Sequence, residues 1–375
     1  MKNTICILLS VLFFISCGNK KSDQSTNQPI NQLTLEYANG FSIRNFENYK
    51  ELTVFSPWKK DEVYAKYFLV KDENAEVPTN GIKVKIPLQS IAVASVTYLE
   101  FLSLLDEIQS ISGVCTPKLV YNQAVKQSIE AGKMTDLGDP FSINVEKTMM
   151  LKPNALMMSG YNQSDANAQR IQQAGIPVIY NNEWMETSLL GRAEWIKFIG
   201  AFYAKDAQSD SIFSDIESRY NDMKSKAVQI EKKPAIMAGS NFRGTWYVPA
   251  GRSFMSELFR DAGGDYYFAN DPATGSLPLN VETVLKHFSE TDIWLNCNFA
   301  TIQELVNSDS KHALFRPVKE NRVYNFNKRL LPSTANDFWE SAVARPDLLL
   351  GDVIAILHPE ILPDWELVYA NPLTP

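Results

Sequence analysis

The same short pattern occurs twice in the sequence, each time ahead of a predicted helix and a short apolar strand. Asn144-Val145-Glu146 precedes the strand from Ala155 to Met158, and Asn280-Val281-Glu282 precedes the strand from Asp292 to Leu295. In each copy the Asn side chain can accept hydrogen bonds from the first free N–H groups of the helix, and the Glu complements the helix dipole. Capping alone explains one such pattern. Its recurrence at the same place in two strand–helix series indicates two similar lobes related by pseudo-symmetry.

Apolar strands alternate with helical segments through most of the chain. Residues 91–94 predict a buried strand, residues 97–105 a helix and residues 108–114 the next strand, and a second such series begins after Pro234. Strands that alternate with helices imply a parallel sheet covered on both faces. The sequence therefore predicts an α/β fold with two Rossmann-like lobes, residues 90–205 and 232–375, connected by a long helical segment.

Residues 33–89 have a different pattern. They contain short alternating segments, among them Leu33 to Leu35 and Tyr64 to Val70, separated by Gly, Asn, Pro or charged turns. Alternation with a period of two is typical of strands with one buried face. We therefore expect an N-terminal β-rich extension that packs on the first lobe. This extension either braces that lobe or contacts a partner.

The N-terminus is organised as an export signal. Lys2 precedes a nearly unbroken apolar stretch from Ile5 to Ile15, which is too short to span a bilayer core of about 30 Å. Ser16-Cys17-Gly18 follows and is similar to a lipobox, in which Cys17 is lipidated after residues 1–16 are removed; the alternative is an ordinary signal peptide with an incidental Cys. Residues 17–32 are polar and predict a flexible tether. We expect an exported protein that is lipid-anchored to the cell envelope, on the periplasmic side.

Charge and cysteine usage narrow the possible functions. The net charge of −7 argues against a nucleic-acid partner, which would favour a basic face. No segment after the signal is long and apolar enough to cross a membrane, so the lipid anchor is the only membrane attachment expected. Cys115 and Cys297 lie far apart, in different predicted lobes. We expect them to be buried free thiols rather than a disulfide.

Several segments, taken in order, resemble the periplasmic binding proteins that serve ABC importers of siderophores, haem and cobalamin. The resemblance runs from Ile86 to Leu362 and rests on Ile91 to Ser95, Asn144-Val145-Glu146, Leu151 to Ala155, Ala174 to Val178, Ser253 to Gly264 and Leu357-His358-Pro359-Glu360. It implies two lobes joined by a single long rigid helix, residues 206–231, with a small-molecule metal chelate held in the cleft between them. It also implies a monomeric binding protein without catalytic residues or cofactor, whose partners are an ABC permease and its ATPase.

The resemblance also assigns the surface that docks on the permease. In this family one exposed Glu on each lobe forms a salt bridge with an Arg of the permease, and by motif this role falls on Glu146 and Glu282. Rigid carboxylates at a fixed separation suit recognition and orientation. Each exposed salt bridge contributes only about 0.2–1 kcal/mol to binding. We therefore expect the two pairs to orient the binding protein on the permease more than to strengthen its binding.

Candidate cleft residues follow the predicted strands, because ligands of open α/β sheets bind beyond the carboxyl ends of the strands. The residues that we single out are Thr97, Tyr98, Tyr121, Tyr161, Trp184, Phe242, Arg243, Trp246, Tyr247, Arg252 and Trp339. Tyr and Trp suit a large, partly aromatic ligand because they provide contact area at low entropic cost. The alternative for Trp246 and Tyr247 is a β-hairpin whose rings simply pack on the lobe.

The sequence also limits the choice of ligand. Arg243 and Arg252 can pair with carboxylate or catecholate oxygens of an anionic iron chelate. Haem-binding relatives carry a Tyr shortly before the first Glu motif, where this chain has residues 139–142, Asp-Pro-Phe-Ser. Cobalamin binders carry a Trp there and another before the second motif, where this chain has residues 276–278, Ser-Leu-Pro. A ferric siderophore is therefore the favoured ligand, and cobalamin is the alternative.

A bare metal ion is disfavoured as the ligand. The chain has only His287, His312 and His358, whereas zinc or manganese sites need three or four converging ligands. We expect no metal site formed by protein side chains.

Two alternatives come from other classes of function. An exported hydrolase would need a nucleophile elbow or a zinc motif, and Gly239-Ser240-Asn241 lacks the second Gly of a Gly-x-Ser-x-Gly elbow. A ligand-binding lipoprotein that serves a sensor would not need the two Glu residues. The effect of reversing their charge on uptake distinguishes that alternative from an importer component.

Overall fold

The computed structural model describes residues 28–375, so the predicted signal peptide, Cys17 and most of the predicted tether lie outside the described residues. The N-terminal extension is a five-stranded sheet in the order β1-β2-β3-β4-β5. Its strands are β1 (Asn31–Gln32), β2 (Phe41–Asn45), β3 (Lys50–Phe55), β4 (Val63–Val70) and β5 (Ile82–Lys85). The pairs from β1 to β4 are antiparallel, and β5 joins β4 in parallel.

The first lobe is built on a fully parallel five-stranded sheet in the order β10-β9-β6-β7-β8. Its strands are β6 (Ile91–Val93), β7 (Ile111–Val114), β8 (Thr135–Asp136), β9 (Ala155–Met158) and β10 (Val178–Tyr180). Its helices are α1 (Leu99–Leu104), α2 (Gln123–Glu130), α3 (Val145–Leu151) and α4 (Ala166–Gln173). Strands β6 and β9 are buried along their whole length, as the continuous apolar runs predict.

The extension covers the exposed edge of this sheet. The Tyr67 hydroxyl of β4 donates to the Val178 carbonyl (3.0 Å) and accepts from the Tyr180 N–H (2.8 Å). Strand β10 is an edge strand, and edge strands present unpaired backbone groups to solvent unless another element covers them. One fully buried side chain therefore occupies backbone groups of β10 that no sixth strand pairs with.

The predicted single connecting helix packs in the core of the first lobe at Phe213 and in that of the second lobe at Tyr220, and the helix before it packs mainly in the first lobe. Helix α5 (Leu189–Phe202) is apolar and buried on nearly all sides, whereas α6 (Asp206–Ala227) buries one stripe that includes Phe213, Ile216 and Tyr220. The only charged side chain that α5 buries completely is Glu194. Its carboxylate accepts the backbone N–H groups of Glu36 (3.1 Å), Tyr37 (2.9 Å) and Ala38 (2.8 Å) and pairs with Lys197 (3.1 Å).

The second lobe has a parallel sheet in the order β14-β11-β16 and an antiparallel sheet in the order β12-β13-β15. Its strands are β11 (Ala235–Ala238), β12 (Ser240–Phe242), β13 (Thr245–Pro249), β14 (Asp265–Tyr266), β15 (Ser276–Leu279), β16 (Ile293–Leu295), β17 (Tyr324–Asn325) and β18 (Asn371–Pro372). Its helices are α7 (Phe254–Asp261), α8 (Val281–Phe288), α9 (Ile302–Ser308), α10 (Arg316–Lys319), α11 (Asp337–Ser341) and α12 (Pro346–Leu357).

The predicted fold class is confirmed, with parallel sheets in two α/β lobes and a β-rich extension. The duplicated pattern begins α3 and α8, where the side chains of Asn144 and Asn280 cap the helices by accepting from Lys147 N–H and Thr283 N–H. No helix within residues 28–375 is long and apolar enough to cross a membrane.

Three element boundaries differ from the sequence analysis. The first strand is residues 31–32 rather than 33–35, because residues 31 and 32 pair with 45 and 44; the predicted tether to residue 32 therefore ends earlier. The second strand of the first lobe begins at Ile111, since residues 108–110 form a 3₁₀ turn. The long helix ends at Ala227 rather than 231.

Replacing Tyr67 by Phe tests the attachment of the extension. The change removes only the hydroxyl and leaves the Val178 carbonyl and the Tyr180 N–H without this partner. We expect the free energy of unfolding to fall by about 1–3 kcal/mol, measured by urea denaturation. Tyr267→Phe, at a side chain that is 58% exposed, is the control and should change stability by less than about 0.5 kcal/mol. Equal stability of Y67F and the wild type would contradict this account.

Candidate functional site

A cavity of about 470 Å³ lies between the two lobes. The first lobe contributes residues 184–187 to its wall. The second lobe contributes Gly239, Tyr247, Pro249, Ser253, Phe254, Met255, Thr274, Gly275, Ser276, Asn296, Phe338 and Trp339. Three larger depressions, two of about 710 Å³ and one of about 550 Å³, lie on the extension or between it and the first lobe, and none of the three reaches the second lobe. The interlobe cavity is therefore the one placed where a two-lobed binding protein would hold a ligand.

The first lobe presents Trp184 to the cavity. This residue lies in the 3₁₀ turn Glu183–Met185, directly after β10, and its side chain is 38% exposed. The ring of Tyr161 lies 5.9 Å from it, centroid to centroid. Tyr161 follows β9, the neighbouring strand, so both rings arise at the carboxyl edge of the sheet. Of these two predicted cleft residues, Trp184 lines the cavity and Tyr161 lies outside its wall.

The second lobe presents Tyr247 but buries Trp246. Both residues belong to β13, and neighbouring side chains of a strand point to opposite faces. Tyr247 is 47% exposed and lines the cavity, whereas Trp246 is fully buried and donates from Nε1 to the Ala238 carbonyl (3.2 Å). Its ring packs 5.2 Å from that of Trp294. The prediction that Trp246 lines the cleft is therefore wrong, and the hairpin alternative holds for this residue.

Tyr98 is a second predicted cleft residue that belongs to the core. Its side chain is fully buried, and its hydroxyl bonds the Ser159 hydroxyl (2.9 Å) and the Asn181 carbonyl (3.2 Å). It therefore supports the loops after β9 and β10 from below and is not at the cavity surface. The pKa of Tyr98 is raised well above 10, mainly because burial disfavours the phenolate.

The two predicted cations lie away from the cavity wall. Arg243 is at the tip of the β12–β13 hairpin, in the left-handed region with φ 53°, and its guanidinium lies 5.1 Å from the exposed ring of Phe242. Arg252 is exposed in the turn before α7, where its N–H donates to the Ala273 carbonyl. Neither these side chains nor Phe242 is part of the wall. Within residues 28–375 the only charged residue of the wall is Glu186.

Two opposite charges lie near Trp184, on the buried side chain of Glu183 and on the half-buried side chain of Arg192. Glu183 and Arg192 attract each other, and the Arg192 guanidinium also lies 4.5 Å from the ring of Phe254, which lines the cavity. Burial raises the pKa of Glu183, although the charge of Arg192 and the hydrogen bond from Thr97 partly offset this rise. Burial also lowers the pKa of Arg192, and the charge of Glu183 partly offsets that shift. The predicted cleft residue Thr97 is half-buried, hydrogen-bonds the Glu183 side chain and is not part of the cavity wall.

Two carboxylates of the second lobe hold the first lobe next to the cavity. Glu340 in α11 accepts the N–H groups of Tyr121 (2.6 Å) and Asn122 (2.8 Å). Glu257 in α7 accepts the N–H of Leu189 (2.7 Å) at the start of α5. The predicted cleft residue Tyr121 thus makes an interlobe contact through its backbone. Trp339, beside Glu340, is 59% exposed and lines the cavity.

Sequence reasoning missed several wall residues. Phe254 follows the N-cap Ser253 and resembles any first-turn residue. Glu186 is held by the Gly40 N–H (2.8 Å) and Trp195 Nε1 (3.0 Å), and neither contact has a signature in the sequence. For Glu186 and its neighbours, the one available signal was that residues 183–187 follow a parallel strand. The sequence offered no such signal for Phe254.

The two predicted docking carboxylates lie on the surface. Glu146 is exposed in the first turn of α3, beside Met149 and Met150, which are 41% and 82% exposed. The Glu282 side chain is 73% exposed in the first turn of α8 and lies 3.7 Å from Lys311 Nζ. Each lobe therefore presents a carboxylate on a helix at an equivalent place.

The thiols and imidazoles are structural within the described residues. Cys115 and Cys297 are buried and free, as the sequence analysis expects, and burial raises the pKa of Cys115 to about 12. His358 is buried, with Nε2 3.1 Å from the Gly263 carbonyl, and the His287 ring lies 4.1 Å from that of Tyr267 with the two planes tilted by 30°. Residues 28–375 contain no cluster of three or more His, Cys, Asp or Glu suited to a metal ion.

This chain is similar in sequence to a known family of proteins and to individual relatives. The family model described as "Periplasmic binding protein" matches residues 91–330. An uncharacterised lipoprotein of Methanocaldococcus jannaschii is 23% identical over 372 residues, covering 91% of this chain and 87% of that protein. The match to the family begins after the N-terminal extension.

Solved structures share the fold at low sequence identity. The structure of Staphylococcus aureus IsdE complexed with heme has a TM-score of 0.53 and 20% identity, covering 72% of this chain and 98% of that one. The vitamin B12 binding protein BtuF of Vibrio cholerae has a TM-score of 0.52 and 15% identity, covering 74% and 99%.

Glu100→Gln tests the electrostatics of the interlobe contact. Glu100 lies in α1, against α11, and burial raises its pKa from 4.5 to about 7, against the attraction of Arg345. A folded-state pKa above the unfolded value gives stability that is complete below pH 4.5 and is lost as the pH rises through 7. At pH 8 we expect E100Q to exceed the wild type in free energy of unfolding by about 1–3 kcal/mol, with the difference shrinking toward pH 5.

Urea unfolding at both pH values measures the effect. Glu130→Gln, an exposed residue of α2 in the same lobe, is the matched control and should follow the wild type. The account is contradicted if E100Q and the wild type show the same dependence on pH.

Proposed function

This chain belongs to the periplasmic binding protein family, and we propose that it captures a metal chelate in the cavity between its lobes and delivers it to an ABC permease. The family consists of binding proteins of ABC transporters, so the prediction that the chain is not an enzyme is confirmed. The observation that carries the proposal is the cavity itself, because it joins both lobes and exposes Trp184, Tyr247 and Trp339 to one space.

A ferric siderophore of low net charge is the first candidate ligand. The cavity volume of about 470 Å³ is within the range of about 300–1,000 Å³ that is typical of small-molecule sites. The wall is aromatic and lacks the two Arg residues on which an anionic chelate would depend. Burying uncompensated anionic oxygens is costly, so a neutral chelate fits better than a highly charged one.

A corrinoid is the second candidate, and the same wall favours it. Aromatic side chains offer stacking and apolar contact to a conjugated macrocycle. The missing Trp residues before the two Glu motifs argue against cobalamin by resemblance, but Trp184 and Trp339 provide such rings from other positions.

Fluorescence titration of the soluble fragment from Asn31 tests the choice of ligand. We expect tryptophan quenching by a neutral ferric trihydroxamate with a Kd in the micromolar range or below. Binding of a ferric tris-catecholate should be weaker, because the cavity wall has no Lys or Arg side chain to pair with its negative charge. Trp184→Phe should remove part of the quenching. Quenching by cyanocobalamin alone would select the corrinoid, and no quenching by any of the metal chelates would contradict the proposed function.

Delivery to the permease depends on Glu146 and Glu282 in this proposal. The double variant Glu146→Lys/Glu282→Lys should abolish uptake of the bound chelate by whole cells while leaving its Kd unchanged, because both carboxylates lie on the surface rather than in the cavity wall. Glu130→Lys/Glu290→Lys, which reverses one exposed carboxylate on each lobe, is the matched control and should retain uptake. Normal uptake by the first variant would show that these residues do not dock on an importer.

Attachment through Cys17 completes the proposal. The relative from Methanocaldococcus jannaschii is named a lipoprotein, and Ser16-Cys17-Gly18 is similar to a lipobox. Mass spectrometry of the N-terminal peptide from membrane fractions tests this step. A lipid mass on Cys17 supports the anchor, and an unmodified thiol contradicts it.

A further inference from the structure

Aromatic rings form a continuous row from the cavity to the N-terminal extension. Phe141 and Tyr161 lie 5.5 Å apart, Tyr161 and Trp184 5.9 Å, Trp184 and Trp58 6.5 Å, and Trp58 and Tyr64 5.5 Å, all between ring centroids. Of these residues only Trp184 is part of the cavity wall. Trp58 and Tyr64 belong to the extension, which precedes the residues that match the family. The row therefore continues the wall of the cavity onto an element outside the residues that the family model matches.

The extension holds Trp58 in a closed loop between β3 and β4. The Ser56 N–H donates to the Glu62 carbonyl (2.8 Å), and the Lys59 N–H donates to the Ser56 hydroxyl (3.2 Å). Lys59 and Glu62 also form an ion pair at 3.3 Å. A ring that is positioned before binding loses little conformational entropy when a ligand stacks on it.

Tyr64 joins the extension to the loop that carries Tyr161. Its hydroxyl donates to the Tyr161 carbonyl (3.0 Å) and accepts from the Tyr161 N–H (3.1 Å). The ring packs so closely on Gly160 that a Cβ at that position would lie 2.6 Å from it. The extension and this part of the cavity rim are therefore fitted to each other.

The row remains open to solvent although its rings are large. Phe141 is 72% exposed and Trp184 38% exposed, while Trp58 is half-buried. A contiguous exposed apolar surface beside a cavity marks a binding surface more often than it marks ordinary solvent-exposed side chains. A chelate larger than the 470 Å³ cavity has to extend past its wall, and Trp184 is the residue from which the row continues.

The chemistry of the row favours one kind of ligand surface. The charged residue of the cavity wall, Glu186, has its carboxylate occupied by the Gly40 N–H and Trp195 Nε1. The rings supply π faces and edges, since their planes are tilted by 39–53° rather than stacked. Such rings make stacked or edge-to-face contacts with flat conjugated groups.

We infer that loop 56–62 of the extension is part of the ligand site, and that Trp58 contacts a flat conjugated group of the bound chelate outside the cavity, which a corrinoid or an aryl-bearing siderophore has and an aliphatic trihydroxamate lacks. This inference rests on the proposed function for the identity of the ligand as a chelate. It assigns the extension a role in specificity, beyond bracing the first lobe.

Trp58→Ala and Trp58→Leu test the inference in the full soluble fragment. The Leu variant retains apolar volume and removes the π face, so it separates stacking from packing. Phe46→Ala is the matched control, because Phe46 is an aromatic residue of the same extension, in the turn between β2 and β3, that stacks on Tyr49 at 4.6 Å and lies outside the row. The probes are a ferric trihydroxamate, cyanocobalamin, haemin and the conjugated dye anilinonaphthalene sulfonate. Thermal melting of each variant establishes that it is folded.

We expect both Trp58 variants to weaken the best-bound conjugated probe by about fivefold or more, and F46A to change its Kd by less than about twofold. Equal affinity of the wild type and both Trp58 variants, or an equal loss in F46A, would overturn the inference. If no chelate binds but the dye binds and loses affinity only in the Trp58 variants, the proposed function fails and the role of Trp58 stands. If neither chelates nor dye bind, both are contradicted.

Discussion

The buried carboxylate of Glu194 fixes the extension to the helix on which both lobes depend. It accepts three consecutive backbone N–H groups from residues 36–38 and pairs with Lys197. A buried charge is stable only when hydrogen bonds and an ion pair replace the water that solvated it. Moving residues 36–38 away from α5 would leave the Glu194 carboxylate without these donors, so one position of this segment is strongly favoured. The start of α5 is in turn bonded to Glu257 of the second lobe. Extension, first lobe and second lobe therefore share one helix, and the cavity walls are positioned relative to it.

The composition of the cavity follows from strand geometry. Alternation along β13 turns Tyr247 toward the cavity and Trp246 into the core, and the carboxyl end of β10 places Trp184 on the opposite side. The resulting surface is aromatic and nearly uncharged. Selection among ligands then depends on shape, stacking and the cost of burying charge, and less on ion pairing than the sequence suggested. Because Glu340 and Glu257 bond the lobes to each other beside the cavity, we expect modest movement on binding.

Much of the fold is readable from the sequence, because periodic apolar patterns and caps are local. Asn144 and Asn280 cap the helices that the duplicated pattern predicts. The residues of the cavity wall are harder to predict, because a residue lines the wall only if its side chain points into the cavity. Trp246 and Tyr98 have the right residue type and position but face the core. Trp58 lies in a charged turn, Pro57-Trp58-Lys59-Lys60, where nothing local indicates its proximity to Trp184.

The most direct test of the account is a crystal structure of the soluble fragment with its best-bound chelate, with anomalous scattering measured at the absorption edge of the chelated metal. The account predicts one anomalous peak between the lobes, within the space bounded by Trp184, Tyr247 and Trp339. A peak on the extension, on one lobe alone or coordinated by protein side chains outside this cavity would contradict it.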